Sequence, residues 1–148
     1  MVEIFGESVK AGVIAELIKS FPETRAYREQ ITEPSFPHFF VEQLTMEAVE
    51  ERKRKWWLSY LLTIRYRIAP DVSLEKDLQS KLDGMGLRLL SELQTIDIGP
   101  FPIPVRNPRT EKSDGVLFYF CNFKFQATKA ELDAIKQMQL AVSSGLQT

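Results

Sequence analysis

Residues 114–127 read DGVLFYFCNFKFQA, and this stretch decides the fold of the chain. Side chains alternate between the two faces of a strand, and every second residue from Leu117 to Phe125 is apolar. That face is expected to need a covering layer. The opposite face runs from apolar to polar, in the order Val116, Phe118, Phe120, Asn122, Lys124 and Gln126. Such a strand is central in its sheet, or its exposed half contacts another protein chain.

A second long strand is predicted at residues 56–68, because aromatic and aliphatic residues alternate there with more polar ones. The apolar face consists of Trp56, Leu58, Tyr60, Leu62, Ile64, Tyr66 and Ile68. Trp57, Arg65 and Arg67 fall on the other face. A shorter strand is predicted at residues 39–46, and the highly charged segment 47–55 is expected to connect the two as a hairpin.

Three amphipathic helices are predicted from apolar residues at helical spacing. The first begins at Val2 or Ser8 and ends at Ser20. The second covers residues 73–96, with Gly84 and Gly86 in its middle as the sites of a bend or a close contact. The third begins at the capping box 128–131, TKAE, and extends to about residue 144.

The segment 99–106, GPFPIPVR, predicts an edge strand. Its three prolines share one parity, so one edge of the strand lacks N–H donors at these positions. The simplest partner is the strand at 116–126, across a polar loop at 107–114. The predicted fold is therefore a single α+β domain over residues 1–148. One mostly antiparallel four-stranded sheet, in the order α-β-β-α-β-β-α, carries helices packed on it.

Composition narrows the class of protein. The chain has 148 residues, 44% of them hydrophobic, and a net charge of −1, which is typical of a globular protein and not of a cationic nucleic-acid binder. No apolar run is long enough for a transmembrane helix, and the N-terminal residues do not resemble a secretory signal. A single cysteine excludes an internal disulfide, so synthesis in a reducing, intracellular compartment is expected.

No reaction can be read from the side chains. His38 is the only histidine, and Cys121 is the only cysteine and lies on the apolar face of the central strand. Neither has a neighbouring partner for metal binding or acid–base work. We therefore expect no catalytic, cofactor-binding or metal site and no enzymatic activity. One alternative function is that of a small enzyme that uses Cys121 or His38. Such an enzyme would need a pocket that brings these residues beside carboxylates.

Two cationic clusters are candidate contact sites. The first is Arg52, Lys53, Arg54 and Lys55, followed by Trp56 and Trp57. This arm is interpreted as a solvated hairpin tip, with a subunit contact and a nucleic-acid contact as the alternatives. The second cluster is Arg65, Arg67 and Lys124, which would share a sheet face with Phe118 and Phe120 if the two long strands lie in one sheet. Exposed phenylalanines beside cations indicate a partner surface.

Several local patterns resemble a family of phage tail terminator proteins from prophages of Gram-positive bacteria. The patterns are Phe21-Pro22 closing the first helix, Tyr27-x-Glu29-x-Ile31, Pro37-x-Phe39-Phe40-Val41, Asp114-Gly115-Val116-Leu117, and the terminal helix around Met138. Their order and spacing along about nine-tenths of the chain carry the resemblance. None of them is a catalytic signature.

The resemblance implies a structural subunit that forms a hexameric ring on the end of the tail tube, stops tube growth and offers the surface that docks to the head. Its partners would be copies of itself, the tail tube protein and a head-completion or connector protein. No cofactor, membrane or specific nucleic acid is implied, and the protein would be made in the host bacterial cytoplasm and reside in the virion tail. The alternatives are a nucleic-acid-binding module that uses the 52–57 arm and another head-to-tail connector.

Overall fold

The computed structural model describes residues 6–29, 31–52, 55–98 and 101–128. Two α-helices, a short 3-10 helix and seven strands follow one another along these residues. In chain order they are α1 (Gly6–Ser20), β1 (Arg25–Tyr27), β2 (His38–Arg52), β3 (Lys55–Arg67), the 3-10 helix Val72–Leu74, α2 (Leu78–Glu92), β4 (Thr95–Ile98), β5 (Phe101–Pro104), β6 (Arg106–Ser113) and β7 (Val116–Thr128). No described helix is both long enough and apolar enough to cross a membrane.

The strands form a five-stranded mixed sheet in the order β1-β2-β3-β7-β6 and a separate two-stranded sheet, β4-β5. In the larger sheet β1 is parallel to β2, and the other neighbours are antiparallel. The prediction of one four-stranded, mostly antiparallel sheet in α-β-β-α-β-β-α order was therefore wrong. The chain has more strands than predicted, and they belong to two sheets.

The error begins with the prolines of residues 99–106. Phe101–Pro104 is an edge strand, but it pairs with β4, with Ile96 opposite Ile103, and not with β7. The place beside β7 is taken by β6, which was predicted to be a loop. Asp114 and Gly115 connect β6 to β7 in a two-residue turn with φ angles of 51° and 75°. Two positive φ angles are typical of the hairpin turn whose twist matches that of the strands, so the polar segment can pair directly with β7.

Two further boundaries differ from the prediction. The segment 47–55 is not a loop, because β2 and β3 remain paired up to Arg52 and Lys55. The helix predicted over 73–96 is α2, which ends at Glu92, and Ile96 belongs to β4. A Cβ at Gly86 would lie 3.6 Å from side-chain atoms of Leu117 and Thr110, an ordinary van der Waals distance, so Gly86 packs against β6 and β7. A Cβ at Gly84 would meet nothing within 4 Å. The predicted third helix lies outside the described residues.

The hydrophobic core lies between one face of the large sheet and a layer made of α1, α2 and the β4-β5 sheet. The alternation predicted for the two long strands is confirmed, since Leu58, Tyr60, Leu62, Ile64 and Tyr66 of β3 are buried. The same is true of Leu117, Tyr119, Cys121, Phe123 and Phe125 of β7. This layer covers only one side of the sheet. The other side carries the residues described next.

Candidate functional site

The side of the five-stranded sheet that faces away from the core is called the open face. Both described helices contribute their buried residues to the opposite side. Arg65 of β3 lies directly across from Phe118 of β7, and Ser59 lies across from Lys124. Strand alternation therefore places the predicted cations and phenylalanines together on the open face. Its aromatic and charged residues include Phe40, Glu42, Trp57, Arg65, Arg109, Phe118, Glu111, Phe120 and Lys124.

Cations lie over three aromatic rings of the open face. The Arg65 guanidinium carbon is 4.5 Å from the centroid of Phe40, and that of Arg109 is 4.6 Å from the centroid of Phe120. The Lys124 ammonium is 5.4 Å from the ring of Trp57. Each distance is within the range of a cation–π interaction, which contributes about 0.5–1 kcal/mol at exposed sites. The rings are thereby held in fixed positions on the surface.

Phe118 and Phe120 form the apolar centre of the open face. Their ring centroids are 6.3 Å apart, with an interplanar angle of 14°, and both side chains are only half-buried. Two large rings that remain partly exposed lose water on contact with another apolar surface, and this burial is favourable by about 25 cal/mol per Å² of apolar area. The pair therefore offers a preformed apolar contact point between cationic neighbours.

Arg65 is fixed by contacts on two sides. Its Nη2 donates a 3.0 Å hydrogen bond to Oε2 of Glu42 on β2, and this contact is also an ion pair. Its guanidinium also lies over Phe40, as described above. The neighbouring Thr63 is only 4% exposed, although it faces the open side. The middle of the open face is therefore tightly packed and preorganised for contact.

Two shallow cavities flank this centre. One, of about 540 Å³, lies on the open face towards the end of the β2–β3 hairpin, and its walls include Glu47, Val49, Trp57, Arg106 and Lys124. It has carboxylate on the β2 side and cations on the side of β6 and β7. The other cavity, of about 390 Å³, lies where the loop after β1 meets the end of β3.

Arg67 and His38 line the second cavity. Arg67 lies 5.7 Å from the ring of Phe36, away from the phenylalanine pair, so it belongs to the rim of the open face. His38 is 6% exposed, and its Nδ1 lies 3.1 Å from the carbonyl oxygen of Ser35, to which it donates. Burial, aided by Arg67 and Arg65, lowers the pKa of His38. A neutral histidine hydrogen-bonded within its own loop has a structural role there.

The 52–57 arm does not present a double tryptophan surface. Trp56 packs against the hydrophobic core, whereas Trp57 lies on the open face beneath Lys124. Strand alternation places the two indoles on opposite sides of the sheet, so they cannot stack on neighbouring bases of one strand. Lys55 is exposed. The side chain of Arg52, together with Lys53 and Arg54, lies outside the described residues.

The potentially reactive side chains of Cys121 and His38 do not meet in a cleft. Cys121 is 2% exposed, and burial raises the pKa of its thiol to about 12, so the nucleophilic thiolate is disfavoured. Within the described ranges, no group of three or more His, Cys, Asp or Glu side chains is arranged to hold a metal ion. The arrangement of the described residues is suited to protein contact.

Several residues of the open face were missed by the sequence interpretation, among them Phe40, Glu42, Arg109 and Glu111. Phe40 and Glu42 lie in a strand whose apolar residues 39–41 are adjacent, which hides the alternation. Arg109 lies in the segment that was predicted to be a loop. The Asp114-Gly115 pair between two extended segments is the signal that could have revealed β6 and, with it, Arg109.

Comparison with known protein families identifies a matching family for this chain. A family model described as "Phage tail terminator protein" matches residues 8–135. One similar solved structure is matched over 83% of this chain and 94% of its own, at 9% sequence identity and a TM-score of 0.34. No curated protein matches the chain.

Proposed function

We propose that this protein forms a ring that caps the phage tail tube and provides the surface to which the head docks. The proposal starts from its family, because the chain belongs to the phage tail terminator family and is therefore a structural protein of the virion. In this proposal the ring is a homohexamer, and its partners are the tail tube protein and a head-completion or connector protein. The protein is made in the cytoplasm of its bacterial host, and its gene belongs to a prophage of a Gram-positive bacterium.

The observation that carries the proposal is the open face. Aromatic residues and arginine are enriched at protein interfaces relative to the rest of the surface, and here they lie side by side on one sheet. Phe118 and Phe120 stack at the centre, and Arg65 and Arg109 flank them. A subunit inside a ring needs contact surfaces for its neighbours and for the tube below. The open face supplies such a surface without any rearrangement of the sheet.

The buried state of the reactive groups supports a non-enzymatic role. Cys121 lies in the core, and His38 is enclosed by Phe36 and Tyr27, with ring centroids 4.8 and 5.5 Å from its own. Each of them therefore has a structural explanation. No cofactor is part of the proposal.

The alternative function, nucleic-acid binding by the 52–57 arm, has less support than ring formation, because Trp56 and Trp57 lie on opposite faces of the sheet. A mobility-shift titration tests it, since phosphate contacts produce an affinity that falls steeply with salt. We expect no salt-sensitive binding of single- or double-stranded DNA at physiological ionic strength. A steep salt dependence that is lost in a Lys55→Ala/Trp57→Ala variant would favour the alternative.

Inactivating the gene in its phage genome tests the capping role. Without a cap, tube growth is not stopped, so negative-stain electron microscopy of the lysate is expected to show tails longer than the uniform wild-type length and without heads. Expression of the intact chain from a plasmid should restore both properties. Tails of wild-type length, joined to heads in the absence of the protein, would rule out the proposal.

The ring is tested separately with the purified protein. Light scattering after size-exclusion chromatography is expected to report six 17.0 kDa chains, a particle of about 102 kDa. Class averages in the electron microscope should then show sixfold symmetry. A stable particle with another number of subunits would contradict the hexamer and leave the capping role to the genetic test.

A further inference from the structure

The outer edge of β2 lacks a partner along most of its length in the described part of the chain. β1 pairs with β2 only from His38 to Phe40, whereas β3 pairs with the inner edge as far as Arg52. With respect to the described residues, positions 41–52 therefore present unpaired backbone groups on one side, at about every second residue. A free edge of this length is a template on which a strand of another chain can pair.

The same stretch is exposed on both of its faces. Leu44, Met46 and Val49 are 42%, 38% and 58% exposed, which is unusual for a strand that belongs to a large sheet. β2 contains no proline, the residue with which proteins commonly block free edges. Residues 42–51 contain four glutamates and no cation. The free edge is thus acidic and carries apolar side chains that a neighbouring strand would cover.

The opposite end of the sheet has the complementary charge. Residues 106–113 of β6 contain Arg106, Arg109 and Lys112 and a single carboxylate, Glu111. The outer edge of β6 is likewise unpaired among the described residues. One end of the sheet therefore has a net charge of −4 over ten residues, and the other has a net charge of +2 over eight.

The geometry of β6 restricts where a strand can pair. In a two-residue hairpin turn the flanking residues, here Ser113 and Val116, are paired with each other, so the backbone groups of Lys112 and Thr110 point outwards. Pro108 has no N–H to donate. Pairing on this edge is therefore confined to the few residues next to the turn. Such a restriction defines one register and disfavours indiscriminate association.

We propose that the free edge of β2 pairs with β6 of a second copy of this chain, so that the sheet continues from subunit to subunit. The inference rests on the proposed ring and assigns its contact. β6 runs antiparallel to β2 within one protomer, because three successive antiparallel pairings separate them. A neighbour in the same orientation thus brings an antiparallel pair together. The two surfaces differ, and such heterologous contacts close into rings.

Charge reversal on each edge tests the pairing. One variant carries Glu47→Lys, Glu50→Lys and Glu51→Lys on β2, which changes the net charge of residues 42–51 from −4 to +2. The other carries Arg106→Glu and Arg109→Glu on β6, which changes that of residues 106–113 from +2 to −2. Glu47, Glu50, Arg106 and Arg109 are exposed, so folding should be retained, and circular dichroism verifies it. Each variant alone therefore places like net charges on the two edges that would pair. Light scattering is expected to show the mass falling from that of the ring to that of a single chain.

Mixing the two variants provides the decisive readout. In the mixture, the reversed β2 of one chain meets the reversed β6 of the other, and the remaining contact is that of the wild type. Alternating subunits should therefore restore the ring mass. As a matched control, reversal of exposed charges on the helices, Lys19→Glu and Glu92→Lys, should leave the wild-type mass unchanged.

The possible outcomes separate this inference from the proposed function. If each edge variant keeps the ring mass, or if the mixture of two monomeric variants stays monomeric, the edge pairing is wrong. In that case sixfold particles of the wild type and overlong tails without the gene would still support the ring and the cap. A wild-type chain that remains monomeric at every concentration would overturn both the pairing and self-assembly into a ring.

Discussion

Replacement of Gly115 by alanine tests the turn that creates β6. Gly115 has a φ angle of +75°, a conformation that residues with a Cβ rarely adopt. A Cβ at this position would also lie 2.9 to 3.0 Å from three side-chain atoms of Val72, in the 3-10 helix that follows β3. The substitution therefore combines a backbone penalty with a steric one.

The two penalties have comparable magnitudes. Left-handed backbone costs a non-glycine residue about 1–2 kcal/mol, and overpacking against an existing side chain typically costs about 1–3 kcal/mol. Alanine also restricts the unfolded chain, which offsets up to about 1 kcal/mol. We expect Gly115→Ala to lower the free energy of unfolding by about 2–3 kcal/mol, which corresponds to a Tm decrease of roughly 5–10 °C for a chain of this size.

A double-mutant cycle with Val72→Ala measures the part of the steric penalty that comes from the Val72 methyl groups. Urea denaturation followed by circular dichroism gives the free energy of unfolding for the wild type, both single variants and the double variant. Val72→Ala removes two of the three close contacts and should recover about 1 kcal/mol in the Gly115→Ala background, whereas the contact with the Cβ of residue 72 and the backbone penalty should remain. A Gly115→Ala protein within about 0.5 kcal/mol of the wild type would refute the reasoning and the turn geometry on which β6 depends.

Three further predictions concern buried polar groups. The Tyr60 hydroxyl is buried and lacks a hydrogen-bond partner among the described residues, whereas the Tyr119 hydroxyl donates to the Leu93 carbonyl at 3.4 Å. In urea denaturation, Tyr60→Phe should therefore have a free energy of unfolding equal to or higher than that of the wild type. Tyr119→Phe should lower it by about 1 kcal/mol. A larger loss for Tyr60→Phe than for Tyr119→Phe would contradict this explanation. Burial raises the pKa of Cys121 to about 12, so the free energy of unfolding should fall as the pH rises above about 8.5. The fall should be less steep in Cys121→Ala. A thiol reagent should label Cys121 in the denatured protein and not in the native protein. Rapid native labelling would show that the thiol is accessible. Because the pKa of His38 is lowered in the folded state, the free energy of unfolding should decrease as the pH falls below about 6.5. The variant His38→Gln should show a weaker dependence on pH in this range. The same pH dependence in His38→Gln and the wild type would exclude this histidine as its source.

The central strands could be predicted from sequence because a buried sheet face imposes a strict two-residue period. Tyr60 and Tyr119 follow that period among aliphatic neighbours, and both are fully buried. The same period places Arg65 and Phe118 on the opposite face, and they lie across from each other in the structure. Whether that face contacts a partner is not decided by the period and stays a prediction.

The outer elements could not be predicted in the same way, because their residues carry little hydrophobic pattern. β6, RNPRTEKS, is almost entirely polar and exposed, so its pairing depends on the Asp114-Gly115 turn and not on burial. In β4, Ile96 continues the helical spacing of α2 and at the same time fits the strand alternation of TIDI. Burial of Ile96 against the core, which only the folded chain provides, decides in favour of the strand.

The lengths of phage tails test most directly whether the open face performs the assembly function. A phage lacking the gene would be complemented with a Phe118→Asp/Phe120→Asp variant or with Leu87→Asp. Leu87 lies on α2 and is 69% exposed, so its replacement is a matched apolar-to-acidic change away from the sheet. Both proteins should fold, as judged by circular dichroism. We predict overlong, headless tails with the open-face variant and uniform, headed tails with Leu87→Asp. Uniform, headed tails with the open-face variant would contradict the account.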